Sequence, residues 1–113
     1  MTVLAAPTYF ANVPAPVKNL FDRLVAVIMD DNQGMIPKPL LFSKQGYLLL
    51  TTCSTPTPFD RLASQCTGCI KAMKEFFKTP GMKHLGSVIY AGTKNKKEVP
   101  KKVLLKIEKS LKE

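Results

Sequence analysis

The sequence predicts an α/β fold in which three parallel strands alternate with three helices. Three observations carry this. Short apolar runs at Thr2–Ala6, Gly46–Thr52 and Gly86–Gly92 are separated by longer stretches whose apolar residues recur every three or four positions. The middle run, Gly-Tyr-Leu-Leu-Leu-Thr-Thr, is continuous rather than alternating, which marks a strand covered on both faces. The order β-α-β-α-β-α then implies parallel strands joined by right-handed crossovers, with helices packed over the sheet.

Each element has its own signal. Thr2–Ala6 is short and apolar and ends at Pro7, so it reads as a buried strand running into a turn. From Pro14 to Ile28, Val17, Leu20, Phe21, Leu24 and Ile28 follow Val13 at helical steps. Pro14 and Pro16 fit only in the first turn, where a missing N–H costs nothing. Lys18 and Asp22, four apart, pair on the outer face. Asp30–Gln45 carries Asp-Asp-Asn, a glycine and two prolines and reads mostly as loop. Cys53-Ser54-Thr55-Pro56-Thr57-Pro58 is a second loop.

The helical pattern over Phe59–Thr79 places Leu62, Cys66, Cys69, Ile70, Met73, Phe76 and Phe77 on one stripe. Gly68 lies inside it at a cost of about 1 kcal/mol relative to alanine. Thr79-Pro80-Gly81 ends it. Pro100 opens a last helix with Val103, Leu104, Ile107 and Leu111 as its apolar face. In open sheets of this kind ligands bind beyond the carboxyl ends of the strands. The loops Pro7–Val13 and Thr52–Phe59 both leave from such ends, side by side if the first two strands are neighbours.

The 113 residues suit one domain, spanning residues 1–113. A chain of this size buries roughly 60–70% of its unfolded surface. No apolar run approaches the ~20 residues that span a membrane. The first residues show no secretory signal pattern. Three cysteines, an odd number, argue for a reducing cytoplasm and against a disulfide framework. The formal net charge is +9, and from Lys94 onward eight lysines face three glutamates. Such a tail reads as a solvated helix face or as a patch for nucleic acid or an acidic membrane. Scarce arginine and the lack of interleaved aromatics favour the first reading.

With the loops placed, a family resemblance emerges. Pro7-Thr8-Tyr9-Phe10-Ala11-Asn12-Val13-Pro14 after a strand, then a helix with Lys18 and Asp22-Arg23, resembles the flavodoxin-like NAD(P)H-dependent FMN reductases. These show a Pro-x-Tyr loop followed by a helix carrying Lys-x-x-x-Asp-Arg. Thr51-Thr52-Cys53-Ser54 resembles their second flavin-side loop, and Lys78–Gly86 their last helix-to-strand connection. The resemblance covers essentially the whole chain.

It implies an oxidoreductase in which Pro7, Thr8, Tyr9 and Phe10 wrap the isoalloxazine ring of FMN, with Asn12 nearby. Thr52, Cys53 and Ser54 would approach from the second strand. NADH or NADPH would be the electron donor, and a quinone-like small molecule the acceptor. The flavin would supply the chemistry, so no catalytic side chain is assigned. It also implies that the chain corresponds to the carboxyl-terminal portion of the fold, lacking two strands and the loop that holds the FMN phosphate. Binding by such a fragment would be weak. The first strand would then have a bare apolar edge, which predicts a homo-oligomer.

Two other classes compete. One is a non-catalytic assembly module using the strand edge and the basic helix. The other is a thiol redox protein built on Cys66-Thr67-Gly68-Cys69, where the same cysteines also read as core packing. Cys53 and His84 add two further zinc-ligand types, but their spacing matches no zinc finger, so no metal site is assigned. His84, the one histidine, reads as a surface residue at the amino-terminal side of the sheet.

Overall fold

A computed structural model describes residues 1–30, 38–39, 45–56, 59 and 64–112. Strand β1 (Thr2–Pro7) leads to helix α1 (Ala15–Ile28). Two short strands, β2 (Met29–Asp30) and β3 (Lys38–Pro39), pair antiparallel within the stretch read from sequence as loop. Strand β4 (Gly46–Thr52), helix α2 (Gln65–Lys78), strand β5 (Lys83–Tyr90) and helix α3 (Lys101–Lys112) complete the chain.

The main sheet has the order β1-β4-β5, all parallel. Thr2 pairs with Tyr47 and Pro7 with Thr52, while Thr52 pairs with Tyr90. The three carboxyl ends therefore lie level. Central β4 is closed on both faces: Tyr47, Leu48, Leu49 and Thr51 are buried. The α/β reading of the sequence holds, as does the double-sided burial of this strand.

On one face of the sheet, Tyr47 and Leu49 pack with Cys69, Ile70, Met73 and Phe77 of α2. The Tyr47 and Phe77 rings stack at 4.8 Å. Helix α1 joins this layer through Phe21, stacked on Phe76 at 4.0 Å. On the other face, α3 covers the sheet only in part. Val103, Ile107 and Ser110 are half-buried, and no residue of α3 is fully buried.

Several expectations are corrected. Phe59 is helical as expected, but the helical stripe is not continuous: Ser64 has φ 53° and interrupts the path, so that helix α2 runs Gln65–Lys78; Leu62 lies outside the described residues. Strand β5 begins at Lys83 rather than Gly86, with an irregularity in its pairing beside Tyr47 and Leu48. Leu20, Leu104 and Leu111 are exposed, so the buried stripes of α1 and α3 are narrower than their periodicity. The end of α2 is as read: Gly81 at φ 87° takes the left-handed position. Its N–H bonds the Lys78 carbonyl and the Met82 N–H bonds that of Phe77, which closes the helix.

The cysteine reading is also corrected. Cys53 and Cys66 form a disulfide, with Cα atoms 6.2 Å apart, and Cys69 remains a buried thiol. The end of β4 and the first turn of α2 adjoin in space, a relation that spacing along the chain hides. The cysteine count thus loses its force as an argument for a reducing compartment.

Candidate functional site

The level carboxyl ends of β1, β4 and β5 set the site. Past Pro7 the chain bonds directly to its neighbour. The Thr8 N–H donates to the Thr52 carbonyl at 2.8 Å, and the Thr8 and Thr51 hydroxyls lie 2.8 Å apart. The two loops read from the sequence are therefore adjacent, tied at their roots.

The first loop then makes a tight turn. Tyr9 and Asn12 exchange both backbone hydrogen bonds at 3.0 Å. Phe10 and Ala11 between them have φ of 51° and 59°. This is the left-handed pair of a type I′ turn, which ordinarily carries Asn-Gly. A non-glycine residue there costs roughly 1–2 kcal/mol. The Asn12 side-chain oxygen accepts the Val13 N–H at 2.8 Å and starts the path into α1. The result is an aromatic tip: Tyr9 is 58% exposed and Phe10 101%.

The second loop is held at both ends. The Cys53 N–H donates to the Tyr90 carbonyl at 3.1 Å. The Cys53 carbonyl accepts from the Thr93 N–H at 3.2 Å and from the Thr93 hydroxyl at 3.3 Å. With its sulfur bonded to Cys66, Cys53 is an anchor of the loop, and its backbone polar groups are spent within the protein. Thr52 and Ser54, on either side of it, are exposed.

Between the sheet and α3 runs an apolar groove of about 320 Å³. Leu50, Val88, Val103 and Ile107 line its length, and Pro7, Thr52 and Tyr90 its carboxyl-end mouth. Its size falls at the lower end of the range for small-molecule pockets. Tyr90 is a site residue that the sequence reading missed. Its hydroxyl donates to the Glu98 carbonyl at 3.2 Å, and the Lys96 ammonium lies 5.2 Å from its ring centre. The rule that singled out the ends of the first two strands also applied to the third.

The remaining candidates separate from this end. His84 is at the opposite end of the sheet, paired across from Tyr47, with its Nε2 2.8 Å from the Ser87 hydroxyl. Burial and, less strongly, the Lys74 charge lower its pKa from the usual value, against a smaller opposing effect of a hydrogen bond with the Gly86 backbone. Burial and the nearby Glu75 raise that of Tyr47. Among the described residues, no group of three or more His, Cys, Asp or Glu could hold a metal ion. No helix there is long and apolar enough to cross a membrane.

Compared with known families, residues 1–112 match the flavodoxin-like fold. The chain belongs to that family. The parallel sheet, the flanking helices and the loops at the carboxyl ends are its framework here. No curated protein matches the chain.

Proposed function

We propose that this flavodoxin-like chain is a flavin-binding oxidoreductase of the NAD(P)H-dependent FMN reductase type. The observation that carries the reading is the pairing of two loops at the carboxyl ends of β1 and β4, one of them bearing an exposed, geometrically fixed aromatic tip. A flat ring needs an aromatic wall on its face and fixed polar groups at its edge. Tyr9 and Phe10 supply the wall. The side chains of Thr52 and Ser54 and the backbone at Phe10 supply the edge, since the Thr8, Tyr9 and Asn12 N–H groups are bonded within the protein.

FMN, when bound, supplies hydride acceptance from NADH or NADPH and electron delivery to a quinone-like acceptor. The chain's residues bind and orient the ring, and no side chain is assigned proton transfer. The test is anaerobic mixing of the FMN-loaded protein with NADPH, then NADH, following flavin absorbance. Bleaching much faster than for free FMN supports the reading. A rate equal to free FMN contradicts the reductase assignment.

A second reading, an assembly module, rests on a separate observation. Among the described residues, strand β1 is an open edge of the parallel sheet, with Val3 44% exposed, and α3 exposes Leu104 and Leu105 among its lysines. Edges of this kind pair with other chains, and a homo-oligomer is the simplest such partner. The dithiol reading of Cys66 with Cys69 has no geometric support, since Cys66 is bonded to Cys53 and Cys69 is buried.

A further inference from the structure

Cys66 and Cys69 are fully buried, as the core-packing reading of the Cys66-Thr67-Gly68-Cys69 segment expects, and the segment has a further position of note. It lies in the first turns of α2, directly behind both loops of the candidate site, and three of its residues each engage one of them.

Gly68 meets the first loop. A Cβ built on it overlaps the Ala11 carbonyl oxygen and comes within 3.1 Å of the Ala11 carbonyl carbon and 3.3 Å of the Ala11 Cβ. The turn carrying Tyr9 and Phe10 therefore sits on bare helix backbone, at a place no side chain could share. Cys69 meets the root of the same loop. Its sulfur accepts from the Thr51 hydroxyl at 3.5 Å and faces the Pro7 carbonyl at 4.0 Å. The Thr8 hydroxyl, 2.8 Å from that of Thr51, completes a chain from the loop through β4 to the helix. Cys66 holds the second loop through the Cys53 disulfide.

We infer that this segment is the seat of the candidate ring-binding site, and that Gly68 is its positioning residue, fixing the aromatic turn against α2. The inference rests on the reading that Pro7–Asn12 holds a flavin ring, though the seating itself can be read without one. It explains why a glycine, which costs a helix interior stability, stands at this place. It also explains how two adjacent left-handed non-glycine residues persist: the surroundings over-determine them.

The experiment compares the parent protein with Gly68→Ala and with Gly68→Ala/Ala11→Gly. One readout is amide hydrogen exchange at Tyr9 and Asn12, whose N–H groups close the turn. The second is FMN affinity by fluorescence quenching, and a melting curve confirms folding. The expected result for Gly68→Ala is exchange at Asn12 faster by about tenfold or more, together with FMN binding weaker by about tenfold or more, since displacement of positioning groups by about 1 Å has effects of this size or larger. The melting transition should persist, because alanine suits a helix better than glycine does. In the double variant, glycine at 11 lets the carbonyl swing aside, so protection and affinity return in part. Parent-like exchange at Tyr9 and Asn12 in a folded Gly68→Ala overturns the inference. If Gly68→Ala does not fold, the double variant decides: a restored, protected turn supports the seat, and continued unfolding overturns it. If the parent protein binds no FMN, the ring-binding reading fails on its own, and the exchange data still decide whether Gly68 seats the turn.

Discussion

Individual residues at the two ends of the sheet carry different chemistry. At the carboxyl end, Tyr9 and Phe10 are presented to solvent on a strained turn, an arrangement that hydrophobic burial alone would not select. At the amino end, His84 is exposed as well, but its ring lies 5.2 Å from that of Tyr47, and partial burial together with the Lys74 charge favours its neutral form. The consequence for stability has a definite sign. A histidine whose folded pKa lies below its unfolded value of 6.5 resists protonation in the native state. Its contribution is intact above pH 6.5 and is lost as pH falls from there through the lowered folded value. Denaturant midpoints measured at pH 7.5 and 5.5 should thus fall more in the parent than in His84→Gln. Equal falls would remove the role given to His84. The Tyr9-to-Asn12 loop was legible in the sequence as a proline- and aromatic-bearing segment at a strand end, but its left-handed geometry was not. Phe-Ala is not a type I′ sequence, and the helix that enforces the turn lies far along the chain.

Among the elements, β4 and α2 organise the molecule. The continuous apolar run of β4 was legible because a strand covered on both faces leaves no polar alternation. The stripe of α2 was legible because its helical spacing is regular from Cys66 to Phe77. The start of α2 was not, since the break comes from the backbone of Ser64 rather than from a glycine or proline. Nor was the disulfide, because the partner of Cys66 is chosen by the crossover from β4 and not by the nearer Cys69. That bond closes a short segment, with a sequence separation of 13. Closing a loop of about this length is worth roughly 3 kcal/mol in the chain-entropy model. Urea unfolding with and without a dithiol reductant should show a loss of that order, and Cys53→Ser should reproduce it. A reductant-insensitive midpoint, with thiol titration confirming cleavage, would show that the tie contributes little.

For the molecule as a whole, the uneven covering of the sheet is the dominant feature. Among the described residues, one face carries α1 and α2 and a packed aromatic layer, while the other carries α3 and an open apolar groove. Among the described residues, strand β1 is an unpaired edge of the sheet. Light scattering should accordingly find a mass above that of one chain at micromolar concentration, and Val3→Lys, a charge on the edge strand, should lower it. A monomer mass for the parent protein would count against self-association. The pair of loops at the carboxyl ends is the candidate ring-binding region. The most direct measurement is an FMN titration followed by flavin fluorescence, on the parent protein and Tyr9→Ala. Saturable quenching by the parent, weakened about tenfold or more in the variant, is the predicted result, in keeping with the roughly 1–3 kcal/mol that stacking a base on an aromatic side chain contributes. No quenching by a folded parent protein, or equal quenching by both, would contradict the assignment of Pro7–Asn12 as a ring-binding loop.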